Sequence, residues 1–569
     1  MNKRFVGRIR WLALLFVAVA FTVVGRLYLL QIVHGKDYLV RANAQFTLPQ
    51  DPLIDRATIY FSAKDSTPII AATLEEGFSL ALNPTKITDP EALWAAINPV
   101  VPIEHDLFIA KATKKGTQYA MVATHLPTEA GHKLEGLGLQ GVVIAEDRWR
   151  NYPGGSLAAQ VLGFVAYNGD VQEGRYGLES FYDSTLTRNN QDLYTNFFVQ
   201  VFGSVKSALQ GDPLSGDVVT TIEPSVQAEL ERTLAEYSKT WNPKLAGGIV
   251  MDPKTGEIVA MAVTPTFNLN QSGQQTDPKI FANAMVENVY EMGSIVKPLT
   301  VAAGIDSGAI RADSTYNDTG CITVDTKKIC NFDFKARGVI PIQQILSQSL
   351  NVGASFVATQ MGATTMRDYF LNRYQMGSTT GIDLPGEVHG LVNNLQSSRL
   401  VEFDTASFGQ GIAMSPIETV RALNVLSSGG YLVTPHIVKE VHYDTGVVNA
   451  MRPPAPVRVL KPETATTLAR MLTSVVDLSL ANGELKLEHY SVAAKTGTAQ
   501  IVNPADGKYY SDRYLHSFFG YFPAYDARFI VFLFAYEPVG APYASQTWAT
   551  PFHSLTQFLI NYYDIPPDR

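Results

Sequence analysis

Hydrophobic positions along the chain fall into two regimes. The first is nearly unbroken: Trp11–Val24 is almost wholly apolar, and the run resumes as Leu27–Val33 beyond Arg26. Together Trp11–Val33 is 23 residues, the length a membrane-spanning helix needs. In the second regime, short apolar runs alternate with turn residues. Pro68–Thr73 and Gly77–Leu82 read as strands, and Glu91–Ile97 and Leu107–Lys115 carry helical spacing. Tyr152-Pro153-Gly154-Gly155 marks a turn, and Gly169–Gly177 reads as a polar loop.

The pattern changes near Gly216. Val218–Ile222 reads as a strand, and Pro224 opens a helix carrying Gln227, Leu230, Leu234 and Tyr237. Ala246–Met251 and Glu257–Val263 are apolar runs joined by Asp252-Pro253-Lys254-Thr255-Gly256, a hairpin pattern. From there to Arg569, helices and strands mix without a repeating βαβ beat. That predicts an α+β fold with a central antiparallel sheet flanked by helices.

Charge gives the first run its orientation. Lys3, Arg4, Arg8 and Arg10 precede it, which predicts a cytoplasmic tail at 1–10, a single anchor at 11–33 and the remainder outside the cell. Ala18-Val19-Ala20 offers a signal-cleavage site as a rival reading, but the apolar run continues past it. Residues 34–215 are then an extracytoplasmic α+β module acting as spacer or docking platform, and 216–569 a second domain. The net charge of −8 leaves no basic surplus for a phosphate backbone, which argues against nucleic acid as a partner. The histidines form no H-E-x-x-H, and no Cys/His spacing fits zinc, so neither a metal nor another cofactor is implied. The two cysteines, Cys321 and Cys330, flank a hairpin-like stretch; they fit either a disulfide or two free thiols.

Three motifs carry candidate chemistry. Ser294-Ile295-Val296-Lys297 places a hydroxyl and an amine one helical turn apart, so that lysine can serve serine as its base. At a helix N-terminus, free N–H groups also favour developing negative charge. Ser349-Leu350-Asn351 supplies a second hydroxyl for proton relay and an amide for positioning; alone it equally fits helix capping. Lys495-Thr496-Gly497-Thr498 supplies a cation and hydroxyls for a carboxylate. Its glycine admits a close backbone, and the Thr498 N–H can pair with the Ser294 N–H as an oxyanion hole. Lys254-Thr255-Gly256 repeats the K-T-G string, but before the serine and at a turn, where glycine needs no catalytic explanation.

In this order the motifs are those of active-site serine penicillin-recognising enzymes, and the chain resembles a class B penicillin-binding protein. Phe408-Gly409-Gln410-Gly411-Ile412, Ser428-Gly429-Gly430 with Pro435, and His516-Ser517-Phe518-Phe519-Gly520 with Pro523 resemble further family segments. Tyr152-Pro153 and Gly177-Leu178-Glu179 resemble motifs of the family's pedestal, or dimerisation-type, module. Two stretches depart from the pattern: Arg56-Ala57-Thr58-Ile59-Tyr60-Phe61 lacks the second half of the pedestal's first motif, and Met292-Gly293 stands where Pro-Gly is usual.

The resemblance implies a peptidoglycan D,D-transpeptidase. Ser294 would be the acylated nucleophile, Lys297 its base, Ser349 and Asn351 the relay and positioning pair. Lys495, Thr496, Gly497 and Thr498 would hold the donor carboxylate. Implied partners are peptidoglycan stem peptides, β-lactams, and a separate membrane glycosyltransferase or polymerase of a cell-wall synthesis complex. The same motifs occur in D,D-carboxypeptidase or β-lactamase-type hydrolases, but no motif supplies the extra glutamate that class A enzymes use. A catalytically silent β-lactam sensor or scaffold is the other alternative; the intact Ser294/Lys297 pair and the ten-residue tail argue against it.

Overall fold

The computed structural model describes residues 55–169, 171–188 and 214–569. The expected tail and anchor, at 1–10 and 11–33, lie outside these residues. Among the described residues no helix is long and apolar enough to cross a membrane.

Two antiparallel-rich sheets organise the described chain. The first has five strands in the order Ala493–Val502, Tyr509–Phe522, Phe529–Tyr536, Leu245–Met251, Ile258–Thr264, every neighbour antiparallel. Leu245–Met251 and Ile258–Thr264 are the expected hairpin. Gly256 takes φ +84° in its turn, while Asp252 Oδ1 accepts from the Lys254 and Thr255 N–H groups. The early K-T-G is thus a turn.

Helix Pro224–Trp241 starts where the sequence predicts. Pro224 fills its first turn, Glu223 accepts the Val226 N–H at 2.7 Å, and Asn242 ends it in a left-handed conformation. Its buried stripe includes Gln227, Leu230, Leu234 and Tyr237. Tyr237 stacks on Trp548 of helix Ala544–Tyr562 with centroids 3.7 Å apart, joining the two helices that cover the sheet.

The second sheet has seven strands. Its main path runs Val448–Ala450, Val438–Tyr443, Gly216–Thr220, Ile59–Ser62, Pro68–Leu82, Ala120–Leu126, and Val142–Asn151 also pairs with Pro68–Leu82. It therefore draws strands from both sides of residue 215. Pro68–Leu82 is one 15-residue strand where two runs were expected. Its middle is polar, and the hydrophobic alternation lapses there, but pairing continues: Glu76 lies opposite Arg148 and bonds it at 2.5 Å. Beyond Gly77, Phe78, Leu80 and Leu82 join helices Pro90–Ile97, His105–Ala112 and Thr128–Gly136 in a small separate core.

Three segments singled out in the sequence converge at the base of this module. Glu179 is fully buried and receives Arg56 Nε at 2.6 Å on one oxygen and Arg150 Nε at 2.7 Å on the other. Tyr152 OH reaches the same carboxylate at 3.3 Å, and Arg150 also donates to the Ala57 carbonyl. Two buried guanidiniums thus depend on one buried carboxylate, and removing one member of such a set strands the others. Glu179→Ala should therefore cost roughly 3–5 kcal/mol, read as a lower denaturation midpoint against the unsubstituted chain. An unchanged midpoint would show that Arg56 and Arg150 find other partners.

Candidate active site

The largest cleft, about 710 Å³, opens beside the edge strand Ala493–Val502, and Ser294, Ser349, Asn351, Lys495, Thr496 and Thr498 all line it. Ser294 lies in a 3₁₀ turn, Gly293–Val296, that runs into helix Lys297–Asp306 with Pro298 in its first turn. Gly293 enters the turn at φ +66°, and the Lys297 N–H closes it onto the Ser294 carbonyl.

Close backbone packing holds this turn against the strand. Ser517 Oγ donates to the Met292 carbonyl at 2.8 Å, and the Gly293 N–H donates to the Gly409 carbonyl at 3.1 Å. A Cβ on Gly497 would lie 2.6 Å from the Met292 oxygen, and one on Gly409 would lie 2.2 Å from the Gly293 oxygen. Lys495 shares the face of Gly497 because strand side chains alternate.

The two lysines meet on Ser349. Lys297 Nζ donates to the Ser349 carbonyl at 2.5 Å and lies 3.3 Å from its hydroxyl, while Lys495 Nζ lies 3.0 Å from the same hydroxyl. Both bonds of Lys297 go to Ser349 and neither to Ser294, the partner its spacing suggested. Ser349 takes φ +56°, an uncommon backbone for a non-glycine residue. Lys495 also donates to the Thr496 carbonyl at 2.9 Å.

Burial sets the charge of this pair. Lys297 is 0% exposed and Lys495 2%. Desolvation, with the charge of Lys495 added, holds the Lys297 ammonium well below the usual lysine range. Burial pushes Lys495 down to about 7. Two ammoniums on one hydroxyl repel each other, so the neutral form of Lys297 is favoured, with a lone pair able to accept a proton.

Asn351 begins helix Asn351–Arg367, but its Nδ2 donates to the Cys330 carbonyl at 3.0 Å, not toward a lysine. Cys330 faces Cys321 across a hairpin, and the two form a disulfide. Thr498 Oγ1 accepts the Ala544 N–H at 3.0 Å, so this hydroxyl also anchors the start of helix Ala544–Tyr562.

Motif reading missed Glu291. Its carboxylate accepts the Gly411 N–H at 3.0 Å and the Tyr509 OH at 2.9 Å, tying the nucleophile turn to the F-G-Q-G loop and the edge hairpin. A lone carboxylate three residues before a serine gives no sequence signal; its partners come from distant segments.

Comparison with known proteins adds an independent line. Residues 246–553 match the family model described as penicillin binding protein transpeptidase domain. Stage V sporulation protein D of Bacillus subtilis is 29% identical over 556 residues, covering 95% of this chain and 83% of that protein. Peptidoglycan D,D-transpeptidase FtsI of Buchnera aphidicola is 24% identical over 589 residues, covering 100% and 97%. The crystal structure of penicillin binding protein 3 from Mycobacterium tuberculosis complexed with aztreonam superposes with TM-score 0.68 at 23% identity, covering 91% of this chain and 98% of that one. That likeness concerns the fold.

The packing around Gly497 generates a test. Gly497→Ala should lower the rate of acylation by a β-lactam by roughly 100-fold by displacing the nucleophile turn. Gly136→Ala, where nothing lies within 4 Å of the added methyl, should leave it intact. Equal rates for the two variants would show that the turn tolerates the methyl.

Proposed function

Because the chain belongs to the penicillin-binding protein transpeptidase family, we propose that it is a membrane-anchored peptidoglycan D,D-transpeptidase whose nucleophile is Ser294. The observation that carries this reading is the pair of buried lysines on the Ser349 hydroxyl, in one cleft with Ser294.

Ser294 Oγ attacks the carbonyl of the penultimate D-Ala in a D-Ala-D-Ala donor. Its proton passes to neutral Lys297, and the backbone N–H groups of Ser294 and Thr498 carry the oxyanion. The peptide C–N bond then breaks. Ser349 relays a proton to the departing D-Ala amine, leaving an acyl ester on Ser294. An amine of a neighbouring stem peptide attacks that ester, the new amide forms, and the proton returns to Ser294. Lys495, Thr496, Gly497 and Thr498 hold the donor carboxylate, and Asn351 positions the donor from the hairpin side. β-Lactams acylate the same serine, in keeping with the aztreonam complex of the mycobacterial relative.

In this reading residues 1–10 are cytoplasmic, 11–33 span the membrane, 34–215 form the pedestal and 216–569 the catalytic domain. Glycan polymerisation then falls to a separate membrane partner. Gel labelling of the full-length chain with a fluorescent penicillin tests the core of the proposal. A stable band lost in Ser294→Ala is expected; a band surviving in that variant would move the nucleophile elsewhere.

The lysine pair gives a second test. With its pKa near 7, Lys495 is mostly neutral in the free enzyme above that pH, and a bound carboxylate restores its charge. Binding of a penicillin to Ser294→Ala should therefore take up close to one proton at about pH 8 and little at about pH 6. Calorimetry in two buffers of different ionisation enthalpy reads this directly. No uptake at the higher pH would remove Lys495 as the carboxylate's partner.

A further inference from the structure

A second cavity, of about 340 Å³, lies beside the cleft, bounded by Asp512, Arg513 and Tyr514 on one strand and by the loop 537–542. Tyr514 and Pro542 are walls of both spaces, so cleft and groove meet across a shared sill. Strand register explains the continuity. Thr496, Thr498 and Gln500 follow one face of the edge strand, Gln500 lies opposite Tyr514, and Asp512 comes two residues further along that same face. One strand face thus leads from the K-T-G-T segment out into the groove.

The groove is built of fixed parts. The Glu537 N–H donates to the Tyr514 carbonyl at 3.0 Å, and the Val539 N–H to the Trp241 carbonyl at 2.7 Å, which pins the loop at two points. Arg513 is turned over the Tyr510 ring, 4.2 Å from its centroid, and lies 3.8 Å from Glu537. Glu537 pairs with Lys244 at 2.8 Å. Asp512 is exposed, and among the described residues it forms no ion pair.

We propose that this groove docks the second substrate of the acyl transfer, a peptide presenting a protonated primary amine, with Asp512 and Glu537 as its anionic contacts. The inference rests on the transpeptidase reading and deepens it. Once the donor is esterified to Ser294 its peptide fills the cleft, so an acceptor needs adjoining space that the donor does not use. A carboxylate field at that space raises the local concentration of an ammonium. Over the Tyr514–Pro542 sill, the deprotonated amine attacks the ester carbon. The C–N bond forms, the C–O bond to Ser294 breaks, and the amine's proton passes through Lys297 to Ser294 Oγ. Water, the competing nucleophile, gains nothing from such a groove.

The test uses the full-length chain, a D-alanyl thioester donor, and a short peptide whose one free amine is the ε-amine of lysine. The readout is the ratio of amide product to hydrolysed acid, with penicillin acylation measured alongside to verify the donor site. Below saturation, Asp512→Lys should lower the ratio about tenfold, as expected for a lost electrostatic contribution to encounter. Glu537→Gln should lower it in the same direction, and higher acceptor concentration should restore it in both. Amide formation with an unchanged ratio in both variants would overturn the groove while leaving the transpeptidase reading intact. An unsubstituted chain that forms the acyl-enzyme but no amide would overturn both.

Discussion

Three chain segments far apart in sequence touch backbone to backbone at Ser294, and that contact fixes the rest of the site. Met292–Ser294 lies on the edge strand at Gly497 and against the loop at Gly409, with hydrogen bonds from Ser517 and to Gly409 closing the joint. No side chain fits between these backbones, so the distances are set by covalent geometry and van der Waals contact and not by flexible rotamers. A nucleophile held in this way is positioned before any substrate arrives.

Burial does the complementary electrostatic work. Neither lysine reaches water, and a single hydroxyl lies between them. In an exposed setting both would be charged, and neither would accept a proton near neutrality. Enclosure makes one neutral and leaves the other ready to regain its charge when a carboxylate enters. The division of labour between base and anion holder thus comes from shared surroundings and not from different residue types.

Much of this was legible in the sequence, though unevenly. Helix Pro224–Trp241 and the following hairpin announce themselves through Pro224, a stripe at helical spacing and a turn at Asp252–Gly256. The catalytic motifs could be ordered along the chain and separated from the early K-T-G by context. The partner of Lys297 could not be read, because spacing on one helix offers Ser294 while the left-handed backbone at Ser349 brings a nearer acceptor from another element. Glu291 was invisible for the same reason, since its role depends on Gly411 and Tyr509. The long strand Pro68–Leu82 was split in the reading because its polar middle is stabilised by a cross-strand ion pair, an interaction that periodicity does not encode.

The seven-stranded sheet also constrains the order of events during synthesis. Ile59–Ser62 is an interior strand, yet its parallel neighbour Gly216–Thr220 comes much later, and the next strand out, Val438–Tyr443, later still. A nascent chain therefore cannot finish its N-terminal module as it emerges. One flank of Ile59–Ser62 stays unpaired until residue 220 is made, and the sheet remains open until the catalytic domain is nearly complete. Pairings this distant in sequence are slow to close and leave strand edges exposed meanwhile. The two halves of the protein mature together, so a chain interrupted midway has neither a finished platform nor an active site.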